Sequence, residues 1–210
     1  MEIFEDFIAI LVTLIIIMDP LGNLPFFLLF TKRNTHAERI KIAGIAAASA
    51  CAILIFFSTT GDAVLRFFGI GLPAFQITGG FILFVYSLQM LRLIPASMKS
   101  TDEEEQEGIS KENVALVPLA TPLLAGPGAI TAVLVWQETA DDPLSTPLLS
   151  AAIVIACLVL YLVFYLGERI YKILGVGGIR VIARLMGLLL AVIAVQFIVD
   201  GIRHIYTNNI

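Results

Sequence analysis

The 210-residue chain is 59% hydrophobic and 14% charged, with a formal net charge of −4 and a mean hydropathy of +0.95. Soluble domains carry about 25% charged residues, so this composition excludes an ordinary water-soluble globule and points to lipid as the surrounding solvent. There is no basic patch and the longest charge run, 102–105, is acidic, which excludes a nucleic-acid partner.

The N-terminus begins with acidic residues (Glu2, Glu5, Asp6). The apolar run behind them is too long for a secretory leader and lacks a small-residue cleavage site, so it reads as a first membrane span. A transmembrane helix needs roughly 20 apolar residues. Stretches of that kind occur at 7–30, 40–59, 75–93, 114–136, 148–166 and 181–199. Backbone groups in hydrocarbon must bond within their own segment, so these stretches are expected to be helices. Between the second and third, 62–71 is amphipathic and reads as an interfacial turn. Cys51 and Cys157 both fall inside apolar stretches and read as small buried hydrophobes, not as a disulfide or metal site. The alanine-rich run 43–52 reads as a close-packing face.

Basic residues set orientation. The loop after span one holds Lys32, Arg33, Arg39 and Lys41; the loop after span three holds Arg92, Lys99 and Lys111; the loop after span five holds Arg169, Lys172 and Arg180, with Arg184 just beyond. Of the 13 basic residues, Arg66 and Arg203 alone fall on the other side. The positive side is expected to be cytoplasmic, which places both termini outside a cell membrane crossed many times.

Residues 95–112, with their acidic run, read as a solvated cytoplasmic linker between a three-span repeat at 1–94 and a second at 113–210. The halves match. Asp19-Pro20-Leu21 recurs as Thr121-Pro122-Leu123, and Pro25 and Pro127 keep equal distance from those first prolines. Gly80 and Gln89 are spaced as Gly187 and Gln196 are. Three spans reverse the chain, so the second repeat must be inverted relative to the first. The fold expected is an all-α membrane protein of six transmembrane helices in two inverted-topology repeats, a recurring carrier design with its site at the midplane.

Two prolines and a glycine within eight residues should interrupt spans one and four, since proline removes a donor and crowds the preceding turn. Asp or Thr before Pro is a helix start, an N-cap acceptor followed by Pro at N1. In span four, Gly126-Pro127-Gly128 is an equally good opening. Half-helices starting near the membrane centre turn free N–H groups and a positive dipole end inward, where they suit a carboxylate. The candidate substrate-binding residues are therefore Asp19, Pro20, Gly22, Asn23, Thr121, Pro122, Gly126 and Gly128. Asp19 is the deep acid of the chain. It either binds a substrate cation or a coupling proton or sodium ion, or it only caps the half-helix. Gln89 and Gln196 are supporting polar residues that equally suit hydrogen bonding between helices.

These motifs resemble those of the MarC family of integral membrane proteins. The resemblance rests on Met18-Asp19-Pro20-Leu21-Gly22-Asn23-Leu24-Pro25, on the run from Pro118 through Thr121-Pro122 and Gly126-Pro127-Gly128 to Ile130, and on Arg184-Leu185-Met186-Gly187-Leu188 with the run from Phe197 to Ile202. It covers essentially the whole chain. It implies transport of small neutral amino acids of the glycine and alanine class, a zwitterionic substrate whose carboxylate would meet the helix N-termini and whose ammonium would meet Asp19.

An intramembrane aspartyl enzyme needs two buried carboxylates, and Asp200 lies near the outer end of span six. A serine–histidine enzyme needs a buried histidine, whereas His36 and His204 fall in a loop and near the C-terminus. The chain therefore reads as no enzyme, with no cofactor and no metal. The alternative is a channel, or a structural membrane subunit without transport of its own, because half-helices also build pores. Besides the bilayer and the substrate, a homo-oligomer is left open.

Overall fold

The computed structural model describes residues 2–94, 124–138 and 145–208, and every regular element in them is helical. Helices α1 (Glu2–Met18) and α2 (Pro20–Phe30) are separated by one residue, Asp19. They are followed by α3 (His36–Phe68), α4 (Leu72–Met90), α5 (Pro127–Glu138), α6 (Ser145–Tyr165) and α7 (Gly167–Asn208). Five stretches among the described residues are long and apolar enough to cross a membrane: Glu5–Phe30, His36–Gly61, Leu72–Met90, Thr146–Tyr165 and Gly167–Thr207. Of the fourth expected span, only the part from Leu124 onward is described. The linker 95–112, Thr121 and Pro122 lie outside the described residues.

Two expectations about connections are corrected. Segment 62–71 was expected to be an interfacial turn, but α3 continues through it to Phe68. Gly61 does not break the helix; it is small because the Leu134 side chain occupies the place of its Cβ. The stop comes at Gly69, which takes the left-handed conformation (φ 65°) while Ile70 N–H donates to the Leu65 carbonyl at 2.9 Å, a Schellman end. The basic stretch after span five is also helical, since α7 starts at Gly167. Lysine and arginine are good helix formers, so their polarity marked exposure and not a loop. The one non-helical residue inside α7 is Gly175 (φ 61°, ψ 179°).

The inner faces are built from small residues, which let backbones approach in the absence of a hydrophobic drive between helices. Ala43, Ala46, Ala47, Ala50 and Leu54 form a buried stripe on α3, packed on Ala152, Ile153, Ala156 and Leu160 of α6. Cys51 and Cys157 meet in that interface as free thiols. Helices α4 and α7 pack through glycines. A Cβ on Gly80 would lie 2.8 Å from the Ala194 carbonyl oxygen, 3.1 Å from Phe197 Cβ and 2.9 Å from Ile198. A Cβ on Gly187 would lie 3.4 Å from the Ser87 carbonyl oxygen, 2.9 Å from Met90 Cβ and 3.5 Å from Leu91. Gly201 abuts Pro73 and Ile77, so residue numbers rise along α4 as they fall along α7, and the two helices are antiparallel.

Most of the packing joins the first part of the chain to the last. Helices α1 and α2 lie on α6 and α7, α3 on α5 and α6, and α4 on α5 and α7. Outward, Leu185, Leu188, Val192, Val195, Val199 and Ile202 of α7 are exposed, an apolar face suited to lipid. Arg39 at the start of α3 forms an ion pair with Glu168 at the start of α7, and Arg92 and Arg180 line one cavity. The basic segments after α2, α4 and α6 are thereby gathered at one end.

Candidate functional site

The site is organised by the junction between α1 and α2. Pro20 has no N–H and a fixed φ, which suits it to the first helical position. The residue before it is pushed out of the right-handed helical region. Asp19 resolves this in the left-handed region (φ 41°, ψ 66°), a conformation that costs a non-glycine residue about 1–2 kcal/mol. Aspartate is among the few residues that visit it, because its short carboxylate can bond locally. Here Oδ1 accepts the Gly22 N–H at 3.0 Å, capping α2.

Asp19 is 1% exposed, and its second oxygen, Oδ2, is buried with no hydrogen-bond partner among the described residues. Buried polar atoms are nearly always paired, and each exception calls for an explanation. Gly22 is required by this arrangement. A Cβ there would fall on the Asp19 carboxylate and 2.8 Å from Met90 Cε.

Asn23 is fully buried. Its Nδ2 donates to the Met18 carbonyl at 2.9 Å, an acceptor freed by the break. Its Oδ1 accepts from the Tyr86 hydroxyl of α4 at 3.1 Å. Tyr86, which the sequence reading did not single out, thus ties α4 to the junction. The signal available was a phenol inside an apolar span, where a hydroxyl needs a partner.

The opening of α5 meets the same stretch of α4. Gly126 and Gly128 are buried, α5 begins at Pro127, and the Leu83 side chain of α4 occupies the place of a Cβ on Gly128. Of the two prolines that span four offered, Pro127 is the one at the described helix start. Leu83 and Tyr86 are about one turn apart on α4, so both proline-started helices bear on one short patch. Pro20 is buried beside Asp19. Gln89 lines a cavity of about 770 Å³ that also reaches Gly22 and Tyr86. Gln196 lies elsewhere: it is exposed and its Nε2 donates to both Asp200 carboxylate oxygens at 2.9 Å. Among the described residues no cluster of three or more His, Cys, Asp or Glu side chains is placed to hold a metal.

The model of the MarC family integral membrane proteins matches residues 4–206 of the chain. A UPF0056 membrane protein of Methanocaldococcus jannaschii is 40% identical over 199 residues, covering 95% of this chain and 97% of that protein. One from Aquifex aeolicus is 36% identical over 199 residues, covering 95% and 93%. One from Escherichia coli is 32% identical over 203 residues, covering 97% and 94%. No solved structure matches the chain.

Proposed function

This chain belongs to the MarC family of integral membrane proteins, and from that premise we propose that it is a carrier of small neutral amino acids, of the glycine and alanine class, working by alternating access at the Asp19 junction. The observation that carries the proposal is the Asp19 carboxylate: buried, held in a left-handed break within an apolar span, and with Oδ2 unpartnered among the described residues. Because Oδ1 already caps α2, this helix start is partly self-occupied. A zwitterion then divides naturally. Its ammonium donates to Asp19 Oδ2, and its carboxylate takes the start of α5 at Gly126 and Gly128, where the dipole end favours an anion. Leu83 crowds Gly128 and Met90 crowds Gly22, which favours small side chains. The proton or sodium that couples transport also belongs at Asp19 on this reading.

Two inverted repeats account for the packing. One constant shift in residue number carries Gly80 to Gly187, and Ser87, Met90 and Leu91 to Ala194, Phe197 and Ile198. Each glycine meets the other's set, carbonyl for carbonyl and Cβ for Cβ, as a two-fold axis between antiparallel helices requires. Another constant shift carries Cys51 to Cys157 and Gly61 to Gly167. The cysteines meet, and each glycine packs on a leucine of the other half, Leu134 or Leu24. These reciprocal contacts support six spans in two inverted halves joined by 95–112, and the gathering of basic residues at one end favours both termini outside the cell membrane.

The test is uptake into liposomes of the purified chain, with a labelled amino-acid panel and imposed pH or sodium gradients. Saturable glycine or alanine uptake with counterflow is expected. Flux that never saturates would make the chain a pore, and no flux for any member of the panel would remove the carrier reading.

A further inference from the structure

The cavity of about 770 Å³ is lined at the basic end by Arg92 and Arg180. Neither guanidinium has an acidic partner among the described residues. Its remaining wall is largely apolar, with Phe26, Ile94, Val176 and Ile179, and its volume lies within the range of about 300–1,000 Å³ typical of small-molecule sites. Arginines that only fix membrane orientation need no particular backbone conformation. Arg92 has one: φ is 60°, in the left-handed region that disfavours side chains. It sits at the end of α4 with Leu93 N–H donating to the Leu88 carbonyl at 3.0 Å. The same Schellman geometry ends α3, where the equivalent position is Gly69, the residue that such an end favours. Within one chain the motif is thus built once with glycine and once, under strain, with an arginine on a cavity wall. Backbone strain of this kind collects at ligand sites.

We propose that this cavity is a binding site for an organic anion, a carboxylate or phosphate head held by Arg92 and Arg180 with an apolar body against Phe26, Ile94, Val176 and Ile179. Arginine suits such heads because its planar fork matches their oxygens and is weakly hydrated. The head can come from a free solute or from an anionic lipid. The site borders the Asp19 junction through Gly22, but it goes beyond the carrier reading and is tested with no gradient and no flux.

The experiment uses the full chain in phosphatidylcholine nanodiscs, with 4-phenylbutyrate as probe and 4-phenylbutanol as its neutral match, read by calorimetry. Saturable binding of the acid is expected, with the alcohol about tenfold weaker or worse, as loss of a charge-assisted bond implies. Arg92→Gly and Arg180→Gln should each weaken the acid by a similar factor. Arg92→Gly also places the favoured residue at the helix end, so thermal unfolding at or above the parent's temperature separates lost binding from lost fold. In phosphatidylglycerol nanodiscs, displacement of the probe identifies a lipid headgroup as the occupant and persistence identifies a free solute; either outcome supports the site. Equal affinity for acid and alcohol, binding that survives both substitutions, or no saturable binding in phosphatidylcholine overturns it.

Discussion

Asp19 is both a cap and, among the described residues, an unsatisfied group, and the two oxygens divide the roles. Asn caps a helix as well as Asp does, so Asp19→Asn keeps the junction and removes only the charge and the titratable proton. The variant should insert, unfold within about 1 kcal/mol of the parent, and lose or uncouple amino-acid uptake. Parental uptake with unchanged gradient dependence would reduce Asp19 to a cap. Tyr86→Phe is a milder change. It deletes one hydrogen bond to Asn23, worth about 0.5–1.5 kcal/mol, while keeping the ring. Glycine affinity should fall several-fold, from the concentration dependence of uptake, with the maximal rate largely kept. At this scale the sequence exposed Asp19, Gly22 and Asn23, because charge and turn chemistry are visible in residue type. It did not expose Tyr86, whose part depends on which helix faces the break, nor separate Gln89 from Gln196. The spacing of those two is matched, but one lines the cavity and the other bonds to Asp200.

At the scale of the helix, the α4–α7 pair turns on Gly80 and Gly187. Each would bring a Cβ within 3 Å of the opposing helix, and inserting a methyl into a packed interface costs about 1–3 kcal/mol. Gly80→Ala and Gly187→Ala should lower thermal stability in detergent by closely similar amounts, because their surroundings are reciprocal. A large effect at one and none at the other would argue against the repeat. Gly44 is a useful control, since a Cβ there would meet only Tyr161 at an ordinary 3.8 Å. Helix positions were readable from apolar run length, whereas helix ends were not. Amphipathic 62–71 suggests an interfacial turn and the basic stretch after span five a loop, yet it is Gly69 and Gly175, with positive φ, that interrupt the helices.

For the molecule as a whole, the topology reading expects single cysteines in the turn after α2 and in the 95–112 linker to be labelled from the cytoplasmic side, and cysteines near either terminus from outside. Membrane-impermeant labelling of intact cells checks this, and outside labelling of the linker would remove the inverted arrangement. The structure adds that α1 to α4 pack chiefly on α5, α6 and α7. Neither half buries its own inner faces, so separately expressed halves should be unstable alone and recover on co-expression.

The sequence by itself determined the membrane environment, the helical class and the Asp-Pro motif. Each of these follows from composition, run length or local backbone chemistry, which act over a few neighbouring residues. Only the tertiary structure decided that the glycines of α4 and α7 face one another, that Tyr86 reaches Asn23, that Asp19 Oδ2 has no partner among the described residues, and that Arg92 and Arg180 share a cavity. Those facts depend on how far each helix is rotated and slid against its neighbours. In a membrane nearly every face of a helix is apolar, so hydrophobic periodicity carries little record of that rotation; close packing of small residues and a few buried hydrogen bonds set it instead.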